Sequence, residues 1–233
     1  MGKHILIVGP GYVGEPLARS LADAGCRITV ASRSGKEVCD CRALTLDLAD
    51  RDAVAAAAGE LEKVDAIVHC ASSSRGGVDS YRAVYLEGAK NLSRAFPGIP
   101  LIFTSSTSVY PQTDGEKVTE SSPANPESET GGILREAEDA VLENGGCVLR
   151  LSGIYGPGRS IHLNRIFEGE AQIESGEPSR LLNQIHRDDI VSAIVHLLQA
   201  DPVVSRGEIY NVSDSRSLTM RECYEWLAER FGK

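Results

Sequence analysis

Short apolar runs alternate with segments of helical periodicity along the first 151 residues. The strand-like runs are HILIV (4–8), RITVA (27–31), ALTL (43–46), DAIVHC (65–70), LIFT (101–104) and CVLRL (147–151). The segments between them predict helices over about 13–24, 51–62, 78–95 and 130–143. Strands separated by helices need crossover connections, so they should lie parallel in a sheet that is covered on both faces. The pattern predicts an α/β fold, a doubly wound parallel sheet of Rossmann-like type.

The alternation weakens after residue 152. The remaining elements are IHLNRIFEGE (161–170), a helix over about 187–199, the strand EIYNV (208–212) and a last helix over 219–231. We therefore expect residues 1–152 to form a dinucleotide-binding domain. Residues 153–233 should form a small substrate-side cap, interleaved with the last strand and helix of that domain. A stretch rich in Pro, Ser and acids, 111–130, predicts a long surface loop at the ligand-binding end of the sheet.

A glycine motif follows the first predicted strand. The sequence GPGYVG places Gly9, Gly11 and Gly14 in the G-x-G-x-x-G spacing, with Tyr12 and Val13 inside it. Between a strand and an amphipathic helix, this motif is typical of a turn that holds a pyrophosphate at the helix N-terminus. A glycine-rich turn that serves only tight packing is the alternative.

The end of the second strand bears on the choice of cofactor. NAD sites place an acidic side chain here to accept a hydrogen bond from the ribose 2′-hydroxyl. This chain instead has Ser32, Arg33 and Ser34. A guanidinium between two hydroxyls suits a 2′-phosphate, so the sequence favours NADP over NAD. The alternative is that Arg33 is an ordinary loop cation.

Two further strand ends offer cofactor contacts. Asp47 and Leu48 follow the third strand, where the carboxylate could accept from the adenine amino group or could cap the next helix. Cys70, Ala71 and Ser72 end the fourth strand with small side chains, which would let a flat cofactor approach the backbone.

The fifth strand runs into a hydroxyl-rich segment, TSSTSVYP (104–111). Ser and Thr bond their own backbone where strands end, so a simple turn explains part of this composition. A catalytic edge would explain it as well.

The charge balance excludes several classes of partner. Lys and Arg number 24 against 33 Asp and Glu, a net charge of −9, which predicts no binding to nucleic acid or to anionic membranes. Apolar runs are shorter than a membrane span needs, and no secretory signal is visible. The six cysteines lack zinc-site spacing, so we expect no metal, and Cys39-Asp40-Cys41 is interpreted as a pair of reduced surface thiols. These features predict a cytoplasmic protein, either a monomer or a homodimer.

Taken together, the motifs resemble those of the extended short-chain dehydrogenase/reductases, the NAD-dependent epimerase/dehydratase family. The matching segments are GPGYVG (9–14), Asp47-Leu48, HCAS (69–72), TSSTSVY (104–110), LRLSGIYGPGR (149–159), IHRDDIVSAIVHLL (185–198) and IYNVSD (209–214). The resemblance implies that Ser106 bonds the reacting substrate oxygen and that Ser105 lies beside the cofactor. It also implies that the backbone of Gly153 and Ile154 faces the nicotinamide amide. Asp188 and Asp189 are expected to cap and anchor a helix.

The chain departs from the family at the general acid. The family places a Tyr four residues before a Lys on the helix after the long loop, where this chain has Thr130 and Leu134. No Tyr in the chain has a Lys four residues later, and Tyr85 replaces a usual Asn. The chain is therefore similar to an atypical branch without the Tyr-x-x-x-Lys pair. Tyr110 is the nearest phenol to Ser106 in sequence and is our stand-in acid, although it could simply pack the loop.

Two functions follow from this resemblance. The first is an NAD(P)-binding oxidoreductase, or a nucleotide-sugar epimerase/dehydratase-like enzyme, acting on a small carbonyl or sugar substrate. The alternative is a non-catalytic NAD(P)-binding redox sensor or regulator.

Overall fold

A computed structural model of the chain describes residues 2–73, 76–173, 180–214 and 216–233. Its strands are β1 His4–Val8, β2 Arg27–Ser32, β3 Arg42–Thr45, β4 Ala66–His69, β5 Leu101–Ser106, β6 Cys147–Leu151, β7 Gly153–Tyr155, β8 Leu181–Leu182, β9 Gln184–His186, β10 Ile209–Val212 and β11 Leu218–Thr219. Seven of these strands form one sheet in the order β10-β6-β5-β4-β1-β2-β3. All of its neighbouring strands pair in parallel. The predicted doubly wound parallel sheet is confirmed.

The α-helices of the described residues are α1 Gly14–Asp23, α2 Arg51–Glu60, α3 Val78–Tyr81, α4 Gly88–Ala95, α5 Glu129–Glu143, α6 Ile161–Glu168, α7 Arg187–Gln199, α8 Pro202–Ser205 and α9 Met220–Phe231. Five of them cover the two faces of the sheet. One apolar core contains residues of α2, α4 and α5, and a second contains residues of α1 and α7. Strands covered in this way become apolar along their whole length, and every residue of β1 and of β6 is buried.

The helix predicted over 78–95 has an irregular middle. A π-helical turn, Arg82–Glu87, joins α3 to α4. Such turns insert an extra residue into the helical hydrogen-bond ladder and occur often at functional sites. Hydrophobic periodicity shows the helix but not this turn, because one inserted residue barely changes the pattern.

Residues after 152 build the smaller part of the molecule and also complete the large sheet. β7 pairs in parallel with β9, β11 pairs antiparallel with β8, and α6 packs against α9. The strand β10 returns to the edge of the main sheet beside β6, and α7 packs against its face. The division into a dinucleotide-binding domain over 1–152 and an interleaved cap over 153–233 stays a prediction. None of the helices in the described ranges is long and apolar enough to cross a membrane.

Candidate active site

The glycine turn lies at the carboxyl end of β1. Gly9 has φ +86°, and a Cβ there would lie 2.3 Å from the backbone of Ala71. A Cβ on Gly14 would lie 2.2 Å from the carbonyl oxygen of Gly9, whereas a Cβ on Gly11 would meet no atom within 4 Å. Gly9 and Gly14 are therefore required by the chain itself. Gly11 instead leaves open space at the start of α1, the space that a bound group would need.

This turn borders an open cleft of about 970 Å³ along the carboxyl ends of the sheet strands. The cleft brings together all but one of the residues predicted to bind cofactor. They are Gly9, Gly11, Tyr12, Val13, Ser32, Arg33, Ser34, Asp47, Leu48, Cys70, Ala71, Ser72, Ser105, Gly153 and Ile154. Gly14 is not part of the lining, because it packs against Gly9. Cys70 offers no thiolate at neutral pH, because burial raises the pKa of its thiol to about 12.

At one end of the cleft, β2 leads into a polar corner. The Ser32 hydroxyl accepts a hydrogen bond from the Lys36 amide at 2.9 Å and lies 3.5 Å from the Ser34 hydroxyl. The Lys36 ammonium bonds Glu15 at 2.8 Å, and this contact leads the causes that lower the pKa of the Glu15 carboxyl. Arg33 makes no ion pair with the described residues, so its guanidinium is available to a ligand. Lys36 also lines the cleft and was missed by sequence reasoning, although a second cation three residues past Arg33 was a readable signal.

Asp47 does not cap the next helix. The N-cap of α2 is Asp50, whose carboxylate accepts from the amides of Asp52 and Ala53, each at 3.0 Å. Asp47 accepts from the Ala49 amide at 3.0 Å in the preceding turn and lines the cleft. The capping interpretation of Asp47 is wrong.

Two hydroxyls of the hydroxyl-rich segment, those of Ser105 and Ser106, have different partners. β5 continues through Ser106, and a 3-10 turn, Thr107–Val109, follows it. The Ser105 hydroxyl is directed away from the cleft, because it donates to buried Glu138 at 2.6 Å. The Ser106 oxygen accepts from the Ser108 amide at 3.1 Å, and Ser106 lines the cleft. Only the backbone of Ser105 can therefore meet a ligand, whereas the hydroxyl proton of Ser106 stays free to donate.

Glu138 belongs to a buried ion pair behind this edge. The Arg150 guanidinium donates to Glu138 at 2.7 and 3.1 Å, and the two side chains are 2% and 0% exposed. Arg135 also bonds Glu138 from one turn earlier on α5. Arg150 further donates to the Tyr110 oxygen at 2.7 Å. Sequence reasoning missed this pair.

Tyr110 is held on the far side of the strand end. Its hydroxyl donates to Asn211 at 2.8 Å and lies 3.2 Å from the carbonyl oxygen of Thr119. Its ring also packs under the Arg150 guanidinium, 4.8 Å from the centroid. Tyr110 does not line the cleft. This position does not fit the stand-in acid and agrees with the alternative, that the residue packs the loop.

On α5, which was expected to carry a Tyr and a Lys, the residues at those two positions are Thr130 and Leu134. Neither of them lines the cleft. Leu134 is 4% exposed within the apolar core, and Thr130 is half-buried outside the lining. Three phenols line the cleft: Tyr12 of the glycine turn, and the pair Tyr81 and Tyr85, whose ring centroids lie 5.0 Å apart. Burial and the neighbouring Tyr81 raise the pKa of Tyr85. Their i,i+4 spacing on a predicted helix could have indicated this pair.

His69 lies beneath the same wall and is completely buried. One ring nitrogen bonds the Val84 carbonyl of the π-helical turn at 3.0 Å, and the other has no partner among the described residues. Burial lowers the pKa of His69 to about 4, so the ring is neutral in the folded protein at pH 7.

A second cavity of about 650 Å³ adjoins the cleft. Its polar lining includes three arginines, and part of its wall is shared with the cleft. The charged and polar side chains among its lining are Arg159, Arg165, Arg180, His162, Asn183, Gln184, Thr107 and Tyr155. Thr107, Gly153, Ile154 and Arg159 line both cavities. A chain of net charge −9 thus concentrates cations in one place, which sequence reasoning missed because the arginines lie on separate segments.

Arg159 is positioned by aromatic contact. Its guanidinium lies 5.4 Å from the Tyr12 ring, and the Tyr12 hydroxyl donates to the Pro157 carbonyl at 3.1 Å. Arg187, at the start of α7, lies 5.4 Å from the same ring. The N-cap of α7 is His186, not Asp188 or Asp189, which occupy the first turn. Tyr12 therefore connects the glycine turn to the loop that leads into the second cavity.

The parallel sheet, the glycine turn and the cleft along its carboxyl edge define a Rossmann-like α/β protein. No group of three or more His, Cys, Asp or Glu side chains in the described ranges is placed to hold a metal ion.

Comparison with known proteins identifies the family. The model of the NAD dependent epimerase/dehydratase family matches residues 5–213. Protein YeeZ of Escherichia coli K12 is 35% identical over 99% of this chain and 84% of its own length. Short-chain dehydrogenase/reductase family 42E member 1 of Mus musculus is 27% identical over 99% of this chain and 68% of its own length. The chain belongs to the NAD-dependent epimerase/dehydratase family.

Solved structures show the same fold. A protein from Methylobacillus flagellatus, provisionally named as an NAD-dependent epimerase/dehydratase, matches with a TM-score of 0.84 at 30% identity. That match covers 100% of this chain and 83% of the other. The dTDP-glucose 4,6-dehydratase of Bacillus anthracis matches with a TM-score of 0.80 at 20% identity, over 100% of this chain and 82% of the other.

Proposed function

We propose that this protein binds a nicotinamide dinucleotide in the cleft and acts with it on an anionic small molecule of the nucleotide-sugar class. The observation that carries the proposal is the continuity of two cavities. The cleft at the glycine turn and the arginine-lined cavity share Thr107, Gly153, Ile154 and Arg159. A substrate whose anionic part lies among the arginines can reach the hydroxyl edge from there.

Named structural neighbours support this pairing of ligands. The dTDP-glucose 4,6-dehydratase of Bacillus anthracis was solved in complex with NAD. A further neighbour, MoeE5, was solved in complex with UDP-glucose and NAD, with a TM-score of 0.78 at 21% identity. At these identities the likeness extends to the fold alone, so the ligands are a proposal for this chain.

The residues of the cleft fit a dinucleotide. The open space at Gly11, at the start of α1, suits a pyrophosphate, which the backbone amides and the helix dipole would stabilise. Ser32, Arg33 and Ser34 would hold the ribose, and the uncommitted guanidinium favours a 2′-phosphate. When bound, the nicotinamide supplies or accepts a hydride. The backbone of Gly153 and Ile154 would orient its amide, and the backbone of Ser105 lies at the same wall.

Ser106 is our candidate for the reacting end. Its hydroxyl proton is free, so it would donate to the substrate oxygen and stabilise the charge that develops there. Of the phenols that line the cleft, Tyr12 donates its hydroxyl to the Pro157 carbonyl, so we infer that any protein proton donor comes from Tyr81 or Tyr85.

A second candidate function rests on α5. Leu134 packs in the core where the family places its lysine, so the lysine that would lower the pKa of a phenol is missing at that position. A redox sensor needs no such residue. It would bind the dinucleotide in the same cleft and convert no substrate.

The cofactor is tested by calorimetry with NADPH and NADH. We expect NADPH to bind more tightly, and Arg33→Asp to reverse the order with a change of about 1.5–3 kcal/mol, because a charge-assisted bond to the 2′-phosphate is lost. Lys63→Asp is the matched charge control, because the Lys63 side chain is 87% exposed and does not line the cleft. Equal affinities for both cofactors in the native protein would contradict the NADP preference. Failure of both to bind would contradict the dinucleotide site itself.

The substrate side is tested with UDP-glucose as the probe. Arg180→Ala should weaken UDP-glucose binding to the cofactor-loaded protein about tenfold or more, while the affinity for the cofactor is unchanged. Arg94→Ala, an exposed cation on α4, is the control. Equal UDP-glucose affinities for the native and Arg180→Ala proteins would remove the arginine cavity from the proposal.

Turnover separates the enzyme from the sensor. With a converted substrate in hand, Ser106→Ala should lower kcat and leave the cofactor affinity unchanged, since the bond forms in the transition state. Ser20→Ala, at an exposed serine of α1 outside the cleft lining, serves as the control. If cofactor binds but its nicotinamide is neither oxidised nor reduced with any nucleotide sugar, the sensor is favoured.

A further inference from the structure

Two free cysteines lie side by side next to the cofactor cleft. The Sγ atoms of Cys39 and Cys41 are 3.4 Å apart. Cys39 is exposed, and Cys41 is half-buried against the core that contains α1. Two thiols this close, one of them open to solvent, are arranged for chemistry between themselves or with a small reagent.

The backbone holds the two sulfurs together. Cys39 has φ +41°, the one positive φ among the described non-glycine residues. The Cys41 amide donates to the Val38 carbonyl at 3.1 Å, which closes a tight turn around Cys39, and Val38 itself is 1% exposed. A left-handed conformation is unfavourable for a residue with a side chain and persists only where the surrounding structure enforces it. Here the turn, anchored by buried Val38, brings the side chains at i and i+2 to the same side.

We propose that Cys39 and Cys41 form a redox-active dithiol that closes into a disulfide on the loop between β2 and β3, the first part of which lines the cofactor cleft. The interpretation of these residues as plain reduced thiols is thereby extended, since the reduced pair is one of two states.

The reaction balances with a small-molecule disulfide as the oxidant. The Cys39 thiolate attacks one sulfur of oxidised glutathione, the S–S bond breaks, and one glutathione thiolate leaves and takes up a proton. Cys41 then loses its proton to solvent, its sulfur attacks the Cys39 sulfur, and the second glutathione leaves as a thiol. The protein loses two protons and two electrons, and oxidised glutathione becomes two thiols.

Exposure decides the order of attack. Burial, together with the hydrogen bond that Cys41 shares with Cys39, raises the pKa of Cys41 to about 12. Cys41 is therefore protonated until the mixed disulfide has formed beside it, and Cys39 is the sulfur that a reagent reaches first. The Arg19 guanidinium lies close enough to interact electrostatically with both sulfurs.

The loop that carries the dithiol is also a wall of the cleft. Ser32, Arg33, Ser34 and Lys36 line the cleft on one side of it. The Lys36 amide holds the Ser32 hydroxyl, and β3 begins at Arg42, immediately after Cys41. Closing the bond shortens the sulfur separation from 3.4 Å to about 2.05 Å and shifts the turn. We expect the shift to weaken cofactor binding at this corner, an effect that rests on the proposed function, whereas the dithiol chemistry does not.

The first experiment treats the full-length protein with oxidised glutathione, alkylates the remaining thiols and digests with trypsin. Cleavage after Lys36 and Arg42 releases residues 37–42, EVCDCR, which contain both cysteines and no other. We expect this peptide to be two hydrogens lighter and unalkylated, and to return to the doubly alkylated form after dithiothreitol. Cys41→Ser should retain glutathione on Cys39, and Cys26→Ser should leave the native result unchanged.

Three results would overturn the dithiol: a native peptide with glutathione on Cys39 and alkylated Cys41, a peptide alkylated at both positions, or a disulfide to Cys26. The second experiment measures NADPH affinity before and after oxidation. We expect a loss on the order of three- to tenfold in the native protein and none in Cys39→Ser. A disulfide that forms without this loss would overturn the link to the cleft. If the reduced protein binds no dinucleotide, the proposed function fails while the peptide result still decides the dithiol.

Discussion

At the scale of single residues, the buried charges of Glu138 and Arg150 fix the hydroxyl edge. Glu138 accepts bonds from Ser105, Arg135 and Arg150, so its oxygens are fully engaged. Buried charges are tolerated only while each is paired with an opposite charge. The pair thereby holds the end of β5 against α5 and leaves the Ser106 hydroxyl on the cleft side.

Removal of one partner should be severe. Glu138→Ala leaves the Arg150 guanidinium buried without a counter-charge, and we expect the free energy of unfolding to fall by about 3–5 kcal/mol. Urea denaturation measures the change. Asp139→Asn, which loses an exposed contact to Arg135, should change it by less than about 1 kcal/mol. A loss of similar size in the two variants would contradict the structural role of the buried pair.

His69 predicts a pH dependence of stability. Burial lowers its pKa from 6.5 to about 4, so between these values the unfolded chain binds a proton that the folded chain does not. The free energy of unfolding should therefore fall as the pH drops from about 6.5 to 4, by roughly 2–4 kcal/mol from this residue. His69→Leu should flatten the profile of unfolding free energy against pH, whereas exposed His196→Gln should keep the native slope. Parallel profiles for native protein and His69→Leu would refute the assignment.

At the scale of elements, two glycines in the connection from β1 to α1 have different surroundings. Gly9 is needed for the backbone path, whereas a side chain at Gly11 would enter open space. The π-helical turn between α3 and α4 likewise contacts two regions. Its Tyr85 lines the cleft, and its Val84 carbonyl bonds buried His69. Each connection therefore contains residues that the packing of the chain requires and residues that border the cleft.

The different surroundings of Gly9 and Gly11 can be tested by a matched pair of variants. Gly11→Ala adds a methyl group into open space, so stability should change by less than about 1 kcal/mol, while NADPH affinity falls about tenfold or more. Gly9→Ala meets the Ala71 backbone at 2.3 Å with φ +86°, so it should lower the unfolding free energy by roughly 2 kcal/mol or more. Thermal unfolding and calorimetry are the two measurements. Unimpaired NADPH binding by Gly11→Ala would show that this space is not the pyrophosphate site.

At the scale of the whole molecule, a few contacts join segments that are far apart in sequence. Tyr110 connects the end of the hydroxyl-rich segment to Arg150 on β6 and to Asn211 on β10. Glu120, in the long loop, accepts from the Asn211 amide at 2.8 Å. The loop, the fifth strand and the returning strand β10 are therefore stabilised together.

Tyr110→Phe tests this connection. The variant leaves Arg150 and Asn211 each without one partner, and we expect the unfolding free energy to fall by about 1–3 kcal/mol with cofactor affinity unchanged. The phenol of Tyr155 makes no hydrogen bond with the described residues, so Tyr155→Phe is the matched control and should change stability by less than about 0.5 kcal/mol. If Tyr110→Phe instead abolished turnover at native stability, the catalytic role of Tyr110 would be restored.

The sequence by itself determined the sheet, the glycine turn and most of the cleft lining. These features depend on patterns that act over a few residues, such as strand periodicity and the G-x-G-x-x-G spacing, and parallel strands then align their carboxyl ends at one edge. The directions of the Ser105 and Tyr110 side chains depended on Glu138, Arg150 and Asn211, which lie 33 to 101 residues away. Only the tertiary structure could decide these directions, together with the arginine cavity and the contact between Cys39 and Cys41. Such contacts depend on backbone conformation and on which segments meet in space, and neither leaves a periodic signal in the chain.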